Sequence, residues 1–93
     1  MTTYAIVIDT VEALFDVAET KAHDPKSKIN QVTKCDGFVA FNLPDDGEYY
    51  AFLFKSEYLR DEAFKLASVL FTSAIKIESP IKVNEQQIKR YDG

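Results

Sequence analysis

Tryptophan is absent, histidine and cysteine occur once each, as His23 and Cys35, and glycine and proline three times each. Each scarcity excludes something. A single cysteine cannot close an internal disulfide or build a cysteine-based zinc site. A lone thiol suits a reducing compartment, so a cytoplasmic setting is expected. His23 and Cys35 form the one available Cys–His pair, and no third group in the sequence marks it for nucleophilic catalysis. His23 reads instead as a residue at a helix end, where an imidazolium interacts well with the dipole, and Cys35 as a small inert side chain before a turn. Gly37, Gly47 and Gly93 lie far apart, so there is no glycine-rich phosphate loop.

Metal and membrane signatures are missing as well. His23, Asp24, Cys35 and Asp36 match no zinc spacing, and Asp45-Asp46-Gly47-Glu48 lacks the ligand pattern of a calcium loop. No apolar run approaches the roughly 20 residues of a membrane span. The opening residues carry no basic stretch ahead of an apolar core, so no secretory signal is expected. No catalytic, cofactor-binding or metal-ligating residue is assigned, and the chain reads as a non-enzyme.

What is present is core material and charge. The chain has 93 residues, 46% of them hydrophobic, with seven Phe and five Tyr. That length and balance predict one folded domain over residues 1–93. Thr3–Ile8 reads as a buried strand. Asp9 with Glu12 forms a candidate capping box for a helix, whose apolar stripe is Val11, Leu14, Phe15, Ala18 and Ala22. Lys28–Lys34 reads as a strand, joined through the Asp36-Gly37 turn to a strand at Phe38–Leu43. A Pro44–Gly47 turn leads to a strand at Glu48–Lys55. Ser56 caps a second helix over Glu57–Ala74, with Leu59, Ala63, Leu66, Ala67, Leu70 and Ala74 as its stripe and Phe64 and Phe71 widening it. Ile75, Ile77, Ile81 and Val83 share a parity in an edge strand interrupted by Pro80. Asn84 with Gln87 begins a short final helix bearing Ile88 and Tyr91.

This order, β-α-β-β-β-α-β, predicts an α+β fold: a mostly antiparallel sheet of four or five strands with two main helices on one face, a variant of the ferredoxin-like plait. Both parities of Phe38–Leu43 and Glu48–Lys55 are apolar. The face without the two helices is therefore expected either to be covered by the last helix or to form a dimer or partner surface through residues such as Tyr49 and Leu53.

Charge is one-sided. The net charge is −4, and Met1–Gly47 holds eight acids and four bases against seven and seven in Glu48–Gly93. Asp9, Glu12, Asp16 and Glu19 recur along the first helix with no base before Lys21. One reading is a solvated helix face. The sharper reading is an anionic strip, Glu12, Asp16 and Glu19 with the turn acids Asp45 and Asp46, that contacts a basic protein surface. Direct binding of nucleic acid is not expected, because that needs a basic footprint. Reversal of Asp16 and Glu19 to Lys is then expected to weaken binding without destabilising the fold.

A small acidic α/β chain that opens TTYAIVIDTVEALFDVAETK, with an anionic helix edge and turn carboxylates, resembles the small phage-encoded inhibitors. It is similar in character to anti-CRISPR proteins that act as DNA mimics against type I surveillance complexes, type I-F among them. The resemblance implies an inhibitor that occupies the Lys-rich duplex-binding site of a ribonucleoprotein complex and blocks target DNA. No individual residue is carried over from it. The alternative is a small dimeric ligand-binding or regulatory domain.

Overall fold

The computed structural model describes residues 1–20, 24–42 and 49–83. The elements are β1 (Thr2–Asp9), α1 (Thr10–Glu19), α2 (Lys28–Thr33), β2 (Phe38–Asn42), β3 (Tyr49–Phe54), α3 (Glu57–Leu70), β4 (Ile75–Lys76) and β5 (Ile81–Lys82). The fold is α+β, built on a mostly antiparallel sheet. The strands run in the order β2-β3-β1-β4, and β5 also pairs with β1. The expected final helix and the Pro44–Gly47 turn lie outside the described residues.

β1 is the central strand because its alternate residues are apolar on both faces. It pairs antiparallel with β3, setting Ile6 opposite Phe52 and Ala5 opposite Leu53. On one face Ile6, Ile8, Phe52 and Phe54 pack with Ala13 of α1, Ile29 and Val32 of α2, and Ala63, Ala67 and Phe71 around α3. The helices thus share one face, as expected. Phe38 and Phe41 of β2 extend this core by edge-on ring contacts, Phe41 to Tyr50 at 4.8 Å between centroids. Such offset geometry suits the aromatic quadrupole.

The second face is closed within the chain. Ala5, Val7, Ala51 and Leu53 are buried, with Ile77, Ile81 and Val83 packed against them. Leu53 is therefore unavailable as a docking residue, while Tyr49 remains exposed. β4 and β5 follow one line along the edge of β1. Ile6 faces Lys76 and Thr3 faces Ile81, so two extra residues are accommodated between them. An extra pair preserves side-chain parity, which is why Ile77, Ile81 and Val83 face the same side as expected. Pro80 sits in this interruption, where no ladder N–H is needed.

Two sequence expectations are corrected. Lys28–Thr33 is a helix, not a strand. Ser27 caps it, its hydroxyl accepting from the Asn30 N–H at 3.3 Å, and Ile29 and Val32 both turn inward at helical spacing. The Asp36-Gly37 pair consequently joins a helix to a strand instead of closing a hairpin. The second correction concerns α1. Its residues at the predicted stripe spacing do lie on one face, but Val11, Leu14, Phe15 and Ala18 point away from the core. No helix among the described residues is long and apolar enough to cross a membrane.

Candidate interaction face on the first helix

α1 begins where β1 ends. Asp9 is its N-cap, with the Asp9 Oδ1 accepting from the Val11 N–H at 2.7 Å. The reciprocal half of a capping box is missing, because the Asp9 N–H donates to Ser73 Oγ at 2.8 Å. Glu12 reaches the loop after α3 instead. Its carboxylate accepts from the Ser73 N–H at 2.6 Å and from the Thr72 N–H and hydroxyl, both at 3.2 Å. Partial burial works to raise the Glu12 pKa, but the hydrogen bonds from Ser73 and Thr72 outweigh it, and the carboxyl ends below its ordinary value.

Asp16 turns inward and is only 5% exposed. Its two oxygens accept from Ser27 Oγ at 2.8 Å, the Lys28 N–H at 2.9 Å and the Ile29 N–H at 3.0 Å. The first backbone N–H groups of a helix have no partner of their own. Asp16 supplies one for α2, across twelve residues of chain from Lys28.

These contacts explain the orientation of α1. Successive helical residues turn by about 100°. If Glu12, Ala13 and Asp16 face inward, then Val11, Leu14, Phe15 and Ala18 must face outward. Burying Leu14 and Phe15 would contribute about 1.5–3 kcal/mol each. Hydrogen bonds to a charged acceptor contribute about 1.5–3 kcal/mol each, so the three on Asp16 alone match that gain. Ala13 is the only apolar residue of α1 that is buried, and its small side chain lets the helix approach the sheet.

The result is a helix with its polar edge inside and its apolar edge in solvent. Val11, Leu14, Phe15 and Val17 are 57%, 62%, 64% and 61% exposed. Of the carboxylates predicted as partner contacts, Glu12 holds the loop after α3, Asp16 holds the start of α2, Glu19 is exposed, and Asp45 and Asp46 lie outside the described residues. Val17 belongs to the exposed surface and was not singled out in the sequence, because it falls off the predicted stripe.

A second feature is a shallow groove of about 340 Å³ lined by Cys35, Asp36, Tyr58, Leu59, Glu62 and Ala63. Burial pushes the Cys35 thiol up, and the neighbouring Asp36 charge adds to it. The thiol is thus held protonated, the opposite of an activated nucleophile. Glu62 pairs with Lys65 at 3.2 Å. Among the described residues no three His, Cys, Asp or Glu side chains come together as a metal site.

Arg60 escaped sequence reasoning. Only 1% exposed, it donates to the Ile77 carbonyl at 2.7 Å and to Asp61 at 2.6 Å. It ties α3 to the sheet edge, and its hydrogen bond to Asp61 holds that carboxyl below its ordinary pKa against desolvation, with the Arg60 and Lys76 charges adding to the effect. Comparison with protein-family models, curated proteins and solved structures finds no match.

Proposed function

We propose that this chain is a non-enzymatic binding protein, an inhibitor or adaptor, that engages a basic protein through the outward face of α1. The carrying observation is the exposure of Val11, Leu14, Phe15 and Val17 together on one helix. Large apolar side chains exposed side by side on one surface element mark contact sites on proteins. The acidic balance of the first half, eight acids to four bases, supports a partner of opposite charge. Glu19, exposed on α1, is the carboxylate this proposal assigns to the rim, while the turn acids Asp45 and Asp46 lie outside the described residues.

A nucleic-acid-binding protein or ribonucleoprotein complex has the required basic surface. The narrower proposal, inhibition of a CRISPR surveillance complex by a phage-encoded chain, rests on the resemblance of the opening residues and the net charge. In its DNA-mimic form it draws on Glu19, Asp45 and Asp46, since Glu12 and Asp16 are engaged internally. We read the strand order β2-β3-β1-β4, with helices on one face, as a ferredoxin-like plait with α2 inserted.

Affinity capture with two baits tests the proposal: the native chain and Leu14→Gln/Phe15→Gln. A basic nucleic-acid-binding protein should be retained by the native bait, displaced by duplex DNA, and lost with the variant. Equal retention on both baits overturns it.

A further inference from the structure

We propose that the turn between α2 and β2 modifies itself: Asp36 converts to isoaspartate through the Gly37 nitrogen, and the conversion releases the turn from α3. The site is separate from the outward face of α1 and does not depend on the binding role proposed for it.

The reacting groups are placed by the turn. Cys35 to Phe38 form a bend closed by the Phe38 N–H, which donates to the Cys35 carbonyl at 3.3 Å. Asp36 is exposed in this bend, so solvent reaches its carboxyl. The Gly37 carbonyl accepts from the Lys55 N–H at 2.9 Å, but among the described residues the Gly37 N–H donates to no backbone carbonyl. A glycine nitrogen has no Cβ beside it to hinder attack on a neighbouring carboxyl.

The fold cannot avoid this pair by placing a bulkier residue after Asp36. Gly37 has φ of 85°, and a Cβ there would lie 2.6 Å from Leu59 Cδ1. The close approach that demands glycine also keeps the attacking nitrogen unhindered.

The chemistry needs only water. The Gly37 nitrogen bonds to Asp36 Cγ, the Cγ–OH bond breaks, and the amide hydrogen leaves with the hydroxyl as water. The product is a five-membered succinimide. Water then adds to the former main-chain carbonyl carbon of Asp36, and the bond from that carbon to the Gly37 nitrogen breaks. The chain now runs through Cβ and Cγ, and the old carbonyl carbon becomes a free carboxylate. Nothing is oxidised or reduced.

The product does not fit the native turn. The main chain gains one methylene carbon between Asp36 Cα and Gly37. Gly37 can then no longer keep its contact with Leu59, its bond from Lys55 and the closure from Phe38 to Cys35 together. Cys35 is half-buried in the same turn, its thiol donating to the Gln31 carbonyl at 3.6 Å, and it lines the groove beside Leu59. Release of the turn uncovers this thiol, and exposure governs cysteine reactivity.

Ageing the native chain and Asp36→Glu side by side at neutral pH in heavy-oxygen water tests this. Glutamate keeps the charge but would need a six-membered ring, which closes far more slowly. Peptide mapping with fragment ions assigns the position, because Asp46-Gly47 and Asp92-Gly93 repeat the same pair. The native chain should gain heavy oxygen and an isoaspartyl linkage at residue 36. It should lose cleavage there by a protease that cuts before aspartate and become a substrate for an isoaspartyl methyltransferase at that position. Cys35 should react faster with a thiol reagent in step with the isomerised fraction, and Asp36→Glu should show neither change. Absence of isoaspartate at residue 36, or its formation there only in urea-unfolded chain, overturns the site. Cys35 reactivity that stays constant as isoaspartate accumulates, or rises equally in Asp36→Glu, overturns release of the turn.

Discussion

Single residues carry unequal weight here, and two of them reverse ordinary expectations. Gly37 has φ of 85°, and a Cβ placed there would lie 2.6 Å from Leu59 Cδ1 and 2.8 Å from Leu59 Cβ. Only glycine satisfies both the positive φ and the close approach of α3. Gly37→Ala should destabilise the fold by about 1–3 kcal/mol, measured by urea unfolding. Asp16 is the second case. Asp16→Ala leaves the Lys28 and Ile29 N–H groups without their acceptor, and its cost should be about 2–4 kcal/mol. Asp16→Lys should cost more, by placing an ammonium among donors. The sequence expectation that Asp16 can be reversed without harm therefore changes sign, while Glu19→Lys should move stability by no more than about 0.5 kcal/mol. A native unfolding midpoint in Asp16→Lys would contradict the clamp.

At the level of elements, α1 is held as a unit by carboxylates and not by its apolar stripe. Leu14→Ala, which a buried stripe would make costly, should change stability by less than about 0.5 kcal/mol, because Leu14 is 62% exposed. The Glu12 clamp should also respond to pH. Its folded pKa lies below the ordinary value of 4.5, so its contribution is complete above that value and is lost as pH falls through the folded pKa. Unfolding titrations from about pH 6 to about pH 3 should show a steeper loss for the native chain than for Glu12→Gln. Parallel curves would assign the acid limb to other groups. Strand existence was legible in the sequence for β1, β2 and β3, and so were the start of α3 at its Ser56 cap and the Pro80 edge, because apolar parity and turn residues agree there, whereas the expected run of α3 to Ala74 stops at Leu70 with Phe71 as its C-cap. Lys28–Thr33 was not legible as a helix. Its isoleucine, valine and threonine favour strand, and the deciding partner of its first turn is Asp16, remote in sequence. The period of α1 was legible but its direction was not. Hydrophobic spacing defines a face; whether that face turns inward depends on where Glu12 and Asp16 find donors.

For the whole molecule, an exposed apolar helix and a net charge of −4 oppose each other in controlling association. The apolar face favours any contact that removes it from water. The charge keeps copies apart, and four acids without a base lie in the segment up to Glu19. Salt acts on only one of these. Screening length falls from about 10 Å at 0.1 M ionic strength to about 3 Å at 1 M, while hydrophobic association is not weakened by it. Sedimentation velocity should therefore show a monomer at low salt and concentration-dependent self-association at high salt. Leu14→Gln/Phe15→Gln should remain monomeric at both, since it removes the apolar contact and leaves the charge unchanged. A basic partner should respond in the opposite direction, binding fastest at low salt and more slowly as salt rises, because steering fields are screened. The two salt dependences together separate a face for a basic partner from a face for a second copy. If self-association is strongest at low salt, or persists in the double variant, attraction between copies arises elsewhere on the surface. The α1 stripe would then not be what governs association.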